Sequence, residues 1–299
     1  MNRKKISDYS KVLLDSLPSP KRVMAPFLWF GGKGMLARKI VSRLPQGKIY
    51  VEPYCGAASV FWYIDPPREV EVLNDINNEI INLFRTLQDK QMFDKLVRRL
   101  CWTPYSVSEF VKALKMDSDD PVDNAWAFFV KQGQCFSGQS KGRGSWGRAF
   151  ISRQGMAKTA ASWRRRLSQL RYFHERLTRV QLDNSDVFKV IKYWDSNDTV
   201  FYIDPPYLAS TRKSNSNYEH EVSEDHHREL INLILNVTGK VAISGYDNRI
   251  YCALEDAGWE KHIFKTACHA AGKTRMSKLQ GRGAILRHQP RTECLWVKD

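Results

Sequence analysis

Residues 49–59 read IYVEPYCGAAS, a short apolar run followed at once by a turn that contains glycine. A second apolar run at residues 70–73 ends in Asn74-Asp75, and apolar residues then recur at helical spacing over residues 80–87. A strand, a turn with a helix, and a second strand form a βαβ unit, in which the strands are parallel and covered by helices. The sequence therefore predicts an α/β fold with a helix directly after the turn.

The strand pattern returns in the second half of the chain. Residues 199–203 read TVFYI, which is apolar enough for a strand buried on both faces. Ser223 is a suitable N-cap for a helix that runs to about Asn236. Together these signals predict a Rossmann-like, doubly wound and mostly parallel sheet. The later strands are predicted at residues 180–182, 199–203, 240–244 and 293–297.

The middle of the chain has a different character. From about Lys90 the strand pattern stops, and up to about Val180 helical segments alternate with a Gly/Ser/Arg-rich stretch at residues 133–144. We interpret residues 91–179 as an inserted, mainly helical domain. The predicted organisation is a polar leader at residues 1–25, a catalytic domain at residues 26–90 and 180–299, and the insert between its two parts.

Positive charge is concentrated in two blocks. The chain has 47 Lys and Arg against 32 Asp and Glu, a formal net charge of +15. Residues 131–180 hold 12 basic residues against one acid, and residues 261–291 hold eight against none. The positive charges within each block repel one another unless an anion binds there. Nucleic acid is therefore the leading candidate partner and an acidic membrane surface the second.

The composition argues against several other classes of protein. With 42% hydrophobic residues, the chain has too much apolar material for wholesale disorder. No run approaches the roughly 18 apolar residues of a membrane span, and no apolar core follows the basic N-terminus. The six scattered cysteines fit a reducing cytoplasm, and the histidines near residue 226 lack metal-ligand spacing. We expect a cytoplasmic protein of a bacterium or phage-infected cell, with no membrane or metal partner.

The strand at residues 199–203 runs directly into Asp204-Pro205-Pro206-Tyr207. Ligands of open α/β sheets bind at the carboxyl ends of the strands. The prolines carry no N–H, so the turn offers carbonyl oxygens, while Asp204 adds a carboxylate and Tyr207 a flat ring. Such a turn accepts two hydrogen bonds from an exocyclic amine and stacks the attached base. Bonds from adenine N6 to Asp204 and the Pro205 carbonyl would localise the nitrogen lone pair, so no covalent nucleophile is needed.

A second Asp-Pro-Pro sequence provides an internal comparison. Asp65-Pro66-Pro67 also follows an apolar stretch, but Arg68 stands in place of the aromatic residue. It precedes the second predicted strand and therefore lies away from the ligand-binding edge of the sheet. We predict that this sequence is a loop without a catalytic role.

Four motifs, in this order, resemble those of DNA adenine-N6 methyltransferases of the Dam type. They are an aromatic-GGK motif at residues 27–33, a Gly-rich cofactor turn at 51–61, an acidic strand end at 73–77 and the catalytic motif at 204–207. The resemblance implies S-adenosylmethionine as cofactor and adenine N6 in double-stranded DNA as target, with the base flipped out of the duplex. Methylation of RNA adenine or of cytosine N4, and a catalytically weak DNA-binding protein on the same fold, are the alternatives.

The resemblance also assigns site residues. Asp75 follows Gly56 by 19 residues at a strand end, where a carboxylate accepts both hydroxyls of a ribose. Asp186 either approaches the adenine of the cofactor or caps a helix. The implied cofactor-binding residues are Trp29, Lys33, Glu52, Tyr54, Gly56, Asp75, Asp186 and Asp204, and the catalytic residues are Asp204, Pro205, Pro206 and Tyr207. The implied DNA contacts, all in the insert, are Phe136, Arg143, Arg148, Arg164, Arg165 and Arg166.

The cofactor turn departs from the family pattern at one position. The family usually has Gly-x-Gly, whereas this chain has Gly56-Ala57-Ala58. The methyl group of Ala58 narrows the approach to the cofactor. We therefore expect an altered cofactor affinity on an unchanged fold.

Overall fold

The computed structural model describes residues 23–29, 31–135, 145–207, 223–268 and 289–299. Side chains at 266–268 and 289–291 are outside this description, as are Phe136, Arg143 and the predicted leader up to residue 22. Residues 23–25, also assigned to the leader, are joined to the folded chain. The Val23 carbonyl accepts a hydrogen bond from Tyr63, and the Met24 amide donates to Gln169. Residues 23–25 therefore contact the folded chain in this structure, and the predicted division into leader, catalytic domain and insert stays a prediction.

The described residues contain a central sheet and a small separate hairpin. The strands are β1 (Ile49–Glu52), β2 (Val70–Asn74), β3 (Ser152–Arg153), β4 (Met156–Ala157), β5 (Gln181–Asp183), β6 (Thr199–Ile203), β7 (Lys240–Gly245), β8 (Glu260–Cys268) and β9 (Gln289–Lys298). The sheet order is β5-β2-β1-β6-β7-β9-β8, and β3 pairs with β4. In this sheet the strands β5, β2, β1, β6 and β7 are parallel, while β9 runs antiparallel to both its neighbours. The prediction of a Rossmann-like, mostly parallel sheet is confirmed.

Helices cover both faces of this sheet. They are α1 (Ala37–Val41), α2 (Asn78–Gln88), α3 (Lys90–Cys101), α4 (Val107–Leu114), α5 (Pro121–Gln134), α6 (Lys158–Leu167), α7 (Leu170–Leu177), α8 (Val187–Trp194), α9 (Glu224–Asn236) and α10 (Cys252–Asp256). Ser223 caps α9 by accepting from the His226 amide, as the sequence predicts. Among the described helices, none is long and apolar enough to cross a membrane.

The core lies on both sides of the sheet because side chains alternate along each strand. Tyr50 of β1 and Tyr202 of β6 are buried in one cluster together with helices of the insert. Val51 follows Tyr50 in β1, and Phe201 precedes Tyr202 in β6. Both are buried in the other cluster, together with residues of α8 and α9. All five residues of β6 are buried, as its apolar sequence predicts. The strand order reverses between β1 and β6, which places a ligand-binding crevice beside these two strands.

Three local features differ from the sequence predictions. The helix expected after the cofactor turn is a single 3₁₀ turn at Phe61–Tyr63, because Pro66 and Pro67 follow too closely for a longer helix. Strand β8 was not predicted, since its charged residues follow no clear alternation at the edge of the sheet. Strand β9 extends beyond the predicted residues 293–297 because it pairs with β8 along its whole length.

Candidate active site

The centre of the site is an ion pair between Lys33 and Asp204 at the carboxyl end of β6. The Lys33 ammonium lies 2.7 and 2.9 Å from the two carboxylate oxygens of Asp204 and 3.0 Å from the Gly31 carbonyl. The Lys33 side chain is 4% exposed and that of Asp204 19%, so water screens the pair weakly. Burial raises the pKa of the Asp204 carboxyl, while Lys33 lowers it. Lys33 therefore supports the ionised form of Asp204.

Tyr207 is also held by neighbours from other strands. Its hydroxyl donates to Glu293 of β9 over 2.6 Å, and its ring centroid lies 4.4 Å from that of Tyr246. The Lys33 ammonium lies 4.6 Å from the centre of the same ring. Burial and the charges of Asp204 and Glu293 raise the pKa of the Tyr207 hydroxyl, which keeps it a neutral donor. Glu293 thus fixes the ring that follows the two prolines.

Two histidines at the start of α9 contact the cofactor turn and the turn at residues 204–207. The Nε2 atom of buried His227 lies 3.0 Å from the Pro206 carbonyl, and its Nδ1 lies 3.1 Å from the Tyr251 hydroxyl. His226 Nε2 lies 2.6 Å from the Tyr54 hydroxyl in the cofactor turn. Burial lowers the pKa of His226, which favours its neutral form. The structure thus gives both histidines positioning contacts, and no cluster of potential metal ligands occurs among the described residues.

Asp75 stands at the end of β2 and organises the cofactor turn. One carboxylate oxygen accepts the Gly56 amide over 2.8 Å, and the other accepts the Asn77 amide over 2.9 Å. A carboxylate has about four acceptor positions, so one carboxylate can accept backbone amides and a diol together. Asp75 is partly exposed and lies at the strand edge where the sequence predicts it.

Trp29 closes the other side of the same turn. A Cβ atom built on Gly56 would lie 2.8 Å from the Trp29 ring, so a side chain at position 56 would displace the indole. Gly56 also has a φ of +48°, in the left-handed region that glycine adopts without strain. Trp29 is partly buried and packs edge-on against Phe27 at 5.9 Å. It belongs to the core and at the same time borders the turn.

Glu52 and Asp186 occupy the same edge in different ways. Glu52 is 2% exposed and accepts a hydrogen bond from Tyr50, and burial raises the pKa of its carboxyl well above the usual range. Asp186 is exposed and caps α8 by accepting the amides of Phe188 and Lys189. The helix cap, one of the two predicted roles of Asp186, is therefore present in the structure. Its predicted contact with the cofactor stays a prediction.

Ala58 adopts the backbone conformation that the family's glycine would suit. It is buried, and its φ of +52° lies in the left-handed region. An alanine there costs about 1–2 kcal/mol in backbone strain. The local structure therefore accounts for the usual glycine at this position.

The strain at Ala58 leads to a stability prediction with a neighbouring control. Ala58→Gly relieves the strain but loses a buried methyl group, worth about 0.8 kcal/mol, so we expect it to remain within ~1 kcal/mol of the unchanged protein. Ala57→Gly loses a similarly buried methyl without relieving strain, and we expect it to destabilise by about 1.5 kcal/mol. Urea unfolding measures both, and equal destabilisation by the two substitutions would contradict the strain argument.

The predicted DNA contacts in the insert are distributed unevenly. Arg148 is exposed, with its guanidinium 5.1 Å from the centre of the Trp146 ring. Arg164 is exposed and Arg165 partly exposed, but Arg166 is 3% exposed within the packed face of α6. Burial lowers the pKa of Arg166 to about 10. Arg166 therefore does not share the exposure of Arg164, because consecutive residues of a helix point in different directions, and its predicted phosphate contact stays a prediction.

Sequence reasoning did not identify Glu293, Tyr246 and His227 as site residues. Glu293 and Tyr246 lie outside the four motifs that carry the resemblance, and His227 belongs to a predicted helix without metal-ligand spacing. They reach the site through strand pairing and helix packing between distant parts of the chain. The signals available in the sequence were two adjacent histidines near a predicted helix start and a glutamate inside an apolar strand.

The residues at this edge suit S-adenosylmethionine as a ligand. A carboxylate for a diol, an aromatic wall and a turn without a side chain at position 56 border one crevice, as a nucleoside requires. Lys33 supplies the cation that a methionine carboxylate needs, although in this structure the ammonium is bonded to Asp204.

The model of the D12 class N6 adenine-specific DNA methyltransferase family matches residues 29–267. The chain belongs to this family. The match spans the cofactor turn, the insert and the catalytic motif, which are the parts that form the site described above.

Individual relatives agree with the family. The DNA N-6-adenine-methyltransferase of Escherichia phage P1 is 25% identical over 70% of this chain and 27% of its own length. The DNA adenine methylase of Serratia marcescens is 30% identical over 40% of this chain and 44% of its own. The DNA adenine methylase of Vibrio cholerae O395 is 26% identical over 65% of this chain and 69% of its own length. The matched region thus spans less than half of the phage P1 and Serratia proteins.

Proposed function

We propose that this protein transfers a methyl group from S-adenosylmethionine to N6 of adenine in double-stranded DNA. The observation that carries the proposal is the Asp204 carboxylate at the end of β6, paired with Lys33 and followed by two prolines and Tyr207. Membership of the D12 family supports the same reaction. We also propose that residues 91–179 recognise the target sequence and that the protein acts in the cytoplasm of a bacterium or phage-infected cell.

The chemistry follows from the acceptors around the amine. Asp204 and the Pro205 carbonyl each accept one N6 proton, which orients the nitrogen and favours its pyramidal form. Lys33 keeps Asp204 ionised, so the carboxylate accepts as an anion. Tyr207 offers its ring to the base. In the transfer N6 would gain a bond to the methyl carbon as the bond from that carbon to the cofactor sulfur breaks, and N6 would release one proton to water. S-adenosylmethionine, when bound, would supply the methyl group as an electrophile and leave as S-adenosylhomocysteine.

Asp75, Gly56 and Trp29 are the proposed walls of the cofactor site, with Glu52, Tyr54 and Asp186 around them. The Tyr54 hydroxyl is hydrogen-bonded to His226 of α9, and His227 of the same helix contacts the Pro206 carbonyl. One helix therefore supports both the cofactor turn and the catalytic turn. Arg148, Arg164 and Arg165 are the proposed phosphate contacts among the described residues, with Phe136 and Arg143 outside them.

The function is tested by incubating the protein with cofactor labelled in its methyl group and with duplex DNA, single-stranded DNA or RNA. The expected product is N6-methyladenine in duplex DNA, found by nucleoside analysis. N4-methylcytosine, or methylation of RNA alone, would replace the proposed substrate. No transfer to any nucleic acid, with folded protein, would overturn the proposal.

The cofactor site yields a separate prediction. Asp75→Ala should weaken S-adenosylmethionine binding by about 10- to 100-fold, because charge-assisted hydrogen bonds contribute about 1.5–3 kcal/mol. Calorimetric titration measures the dissociation constant. Asp89→Ala is the matched control. Asp89 also accepts a backbone amide, that of Met92 at the start of α3, but it lies at the end of α2 that is farther from Asp75. Equal cofactor affinity in both variants would remove Asp75 from the ribose position.

A further inference from the structure

A basic groove between α3 and α4 lies within the insert, but none of its side chains is among the DNA contacts proposed above. It has a volume of about 450 Å³, and its lining includes Lys95 and Arg98 of α3, Trp102 just after α3, Lys112 of α4, and Trp126 of α5. We call it the α3–α4 groove. The sequence did not indicate it, because α3 precedes the basic block at residues 131–180.

The charge of this groove is only partly compensated. Lys95, Arg98 and Lys112 are exposed, and no carboxylate of the described residues lies within ion-pair distance of any of them. The groove lining includes one acid, Glu109. Arg99 is different, because it bonds to Asp123. Three cations facing one open groove attract an anion.

Aromatic side chains complete the groove. Trp126 is 1% exposed, and the Arg99 guanidinium lies 4.0 Å and the Lys112 ammonium 5.6 Å from the centre of its ring. Trp126 and Arg99 therefore form a fixed base for the groove. Trp102 is 58% exposed beside these cations. Cations with an exposed aromatic ring suit the phosphate and sugar of a nucleic-acid backbone.

The groove lies towards the catalytic end of the molecule. Helix α2 begins at that end, where its cap Asn77 bonds to Asp75. Asn82, about one turn further along α2, donates to the Pro121 carbonyl at the start of α5. Arg99, near the end of α3, bonds to the same first turn of α5 through Asp123. These contacts place the end of α3 beside the half of α2 that is nearer to Asp75.

The groove is also continuous with the proposed DNA surface. The Thr103 carbonyl accepts a hydrogen bond from Trp163, which lies next to Arg164 on α6. Tyr105 donates to the Gly147 carbonyl, and its ring lies 5.2 Å from that of Trp146, on which Arg148 is stacked. These contacts therefore join the residues just after α3 to the segments that carry the predicted phosphate contacts Arg148 and Arg164.

We propose that the α3–α4 groove binds the phosphodiester backbone of the DNA duplex outside the target base. The proposal rests on the proposed function and extends its DNA surface from the basic block onto α3 and α4. Lys95, Arg98 and Lys112 contact phosphates, and Trp102 packs on a sugar. These contacts carry no sequence information and hold the duplex while other residues of the insert read the bases.

The test measures DNA binding by fluorescence anisotropy at several salt concentrations. The variants are Lys95→Gln with Arg98→Gln, Lys112→Gln, and Trp102→Ala. The control is Lys192→Gln with Arg228→Gln, two exposed cations on α8 and α9, which changes the net charge by the same amount as the first variant. Each lost phosphate contact should reduce the slope of log Kd against log salt by about 0.9 and weaken binding by roughly eightfold at ~0.1 M salt. In methylation assays KM for DNA should rise, with kcat unchanged at saturating DNA.

Groove variants with the salt slope and Kd of the control would overturn the inference. The inference would also be overturned if the protein bound polyglutamate or phosphatidylserine vesicles and the same substitutions abolished that binding but left DNA binding unchanged. The groove would then bind another polyanion. Methylation by the unchanged protein, measured in parallel, tests the proposed function separately. If the unchanged protein methylates DNA and the groove variants match the control, the groove inference alone fails. If it binds DNA through the groove without methylating it, the proposed function alone fails.

Discussion

Asp204→Ala is expected to abolish methyl transfer while DNA binding persists. The substitution removes the anionic acceptor for the target amine. It also removes the nearest carboxylate from the buried Lys33 ammonium, which keeps Glu293 at 3.9 Å. Loss of one such electrostatic group lowers kcat by about 10²–10³, and loss of orientation adds to this effect. Transfer of labelled methyl groups to duplex DNA measures the rate, and anisotropy with the same duplex measures binding.

The second Asp-Pro-Pro sequence supplies the control. Asp65→Ala changes the same residue type in the same sequence context, but Asp65 is exposed in the loop before β2, at the opposite edge of the sheet. It should retain full activity. Asp204→Asn keeps the shape of the side chain and loses its charge, so it separates a loss of chemistry from a loss of folding. A folded Asp204→Asn protein with activity within tenfold of the unchanged protein would contradict the anionic role.

Local sequence was sufficient to predict the parallel strands of the sheet and the position of the candidate catalytic turn. The TVFYI run is buried throughout, and the residues directly after it form the site, since strand direction and hydrophobic pattern together fix where the turn lies. Asp75 was predictable for the same reason, because it follows a strand adjacent to β1. These features depend on residues close together in the chain.

The remaining parts depend on contacts between distant residues. Glu293 meets Tyr207 because β9 inserts next to β7, and His227 meets Pro206 because α9 packs back against the catalytic turn. Arg166 looked equivalent to Arg164 and Arg165 in the sequence, whereas the orientation of α6 buries it. The Lys33–Asp204 pair joins residues 171 positions apart, so two separate motif assignments gave no indication of a direct bond.

The Lys33–Asp204 bond leads to the second large prediction, a shift in pH dependence. Lys33→Met should destabilise the fold, since breaking a buried pair by removing one partner costs about 3–5 kcal/mol. It should also lower methyl transfer at neutral pH, because a smaller fraction of Asp204 is then ionised. Burial already raises the pKa of Asp204, and Lys33 opposes that rise. Without Lys33 the pKa of the Asp204 carboxyl rises further, so the acidic limb of the pH–rate profile should move to higher pH. Activity should then recover in part as pH increases.

The same shift fixes the sign of the stability change. A carboxyl whose pKa is raised by folding contributes stability below its unfolded pKa, and this contribution is lost as pH rises through the folded pKa. Because Lys33→Met raises the folded pKa further, its deficit in unfolding free energy should widen as pH rises from 5 to 8. The rate of widening is at most about 1.4 kcal/mol per pH unit.

The matched control is Lys39→Met, which removes an exposed lysine of α1 and should change neither profile. Urea unfolding at pH 5 and pH 8 and pH–rate profiles of all three proteins measure both effects. A deficit that is equal at the two pH values, with an unshifted acidic limb, would mean that Lys33 contributes packing alone. A widening deficit together with a shifted limb ties both effects to one titrating carboxyl, because a general loss of structure would not move the acidic limb of the rate profile.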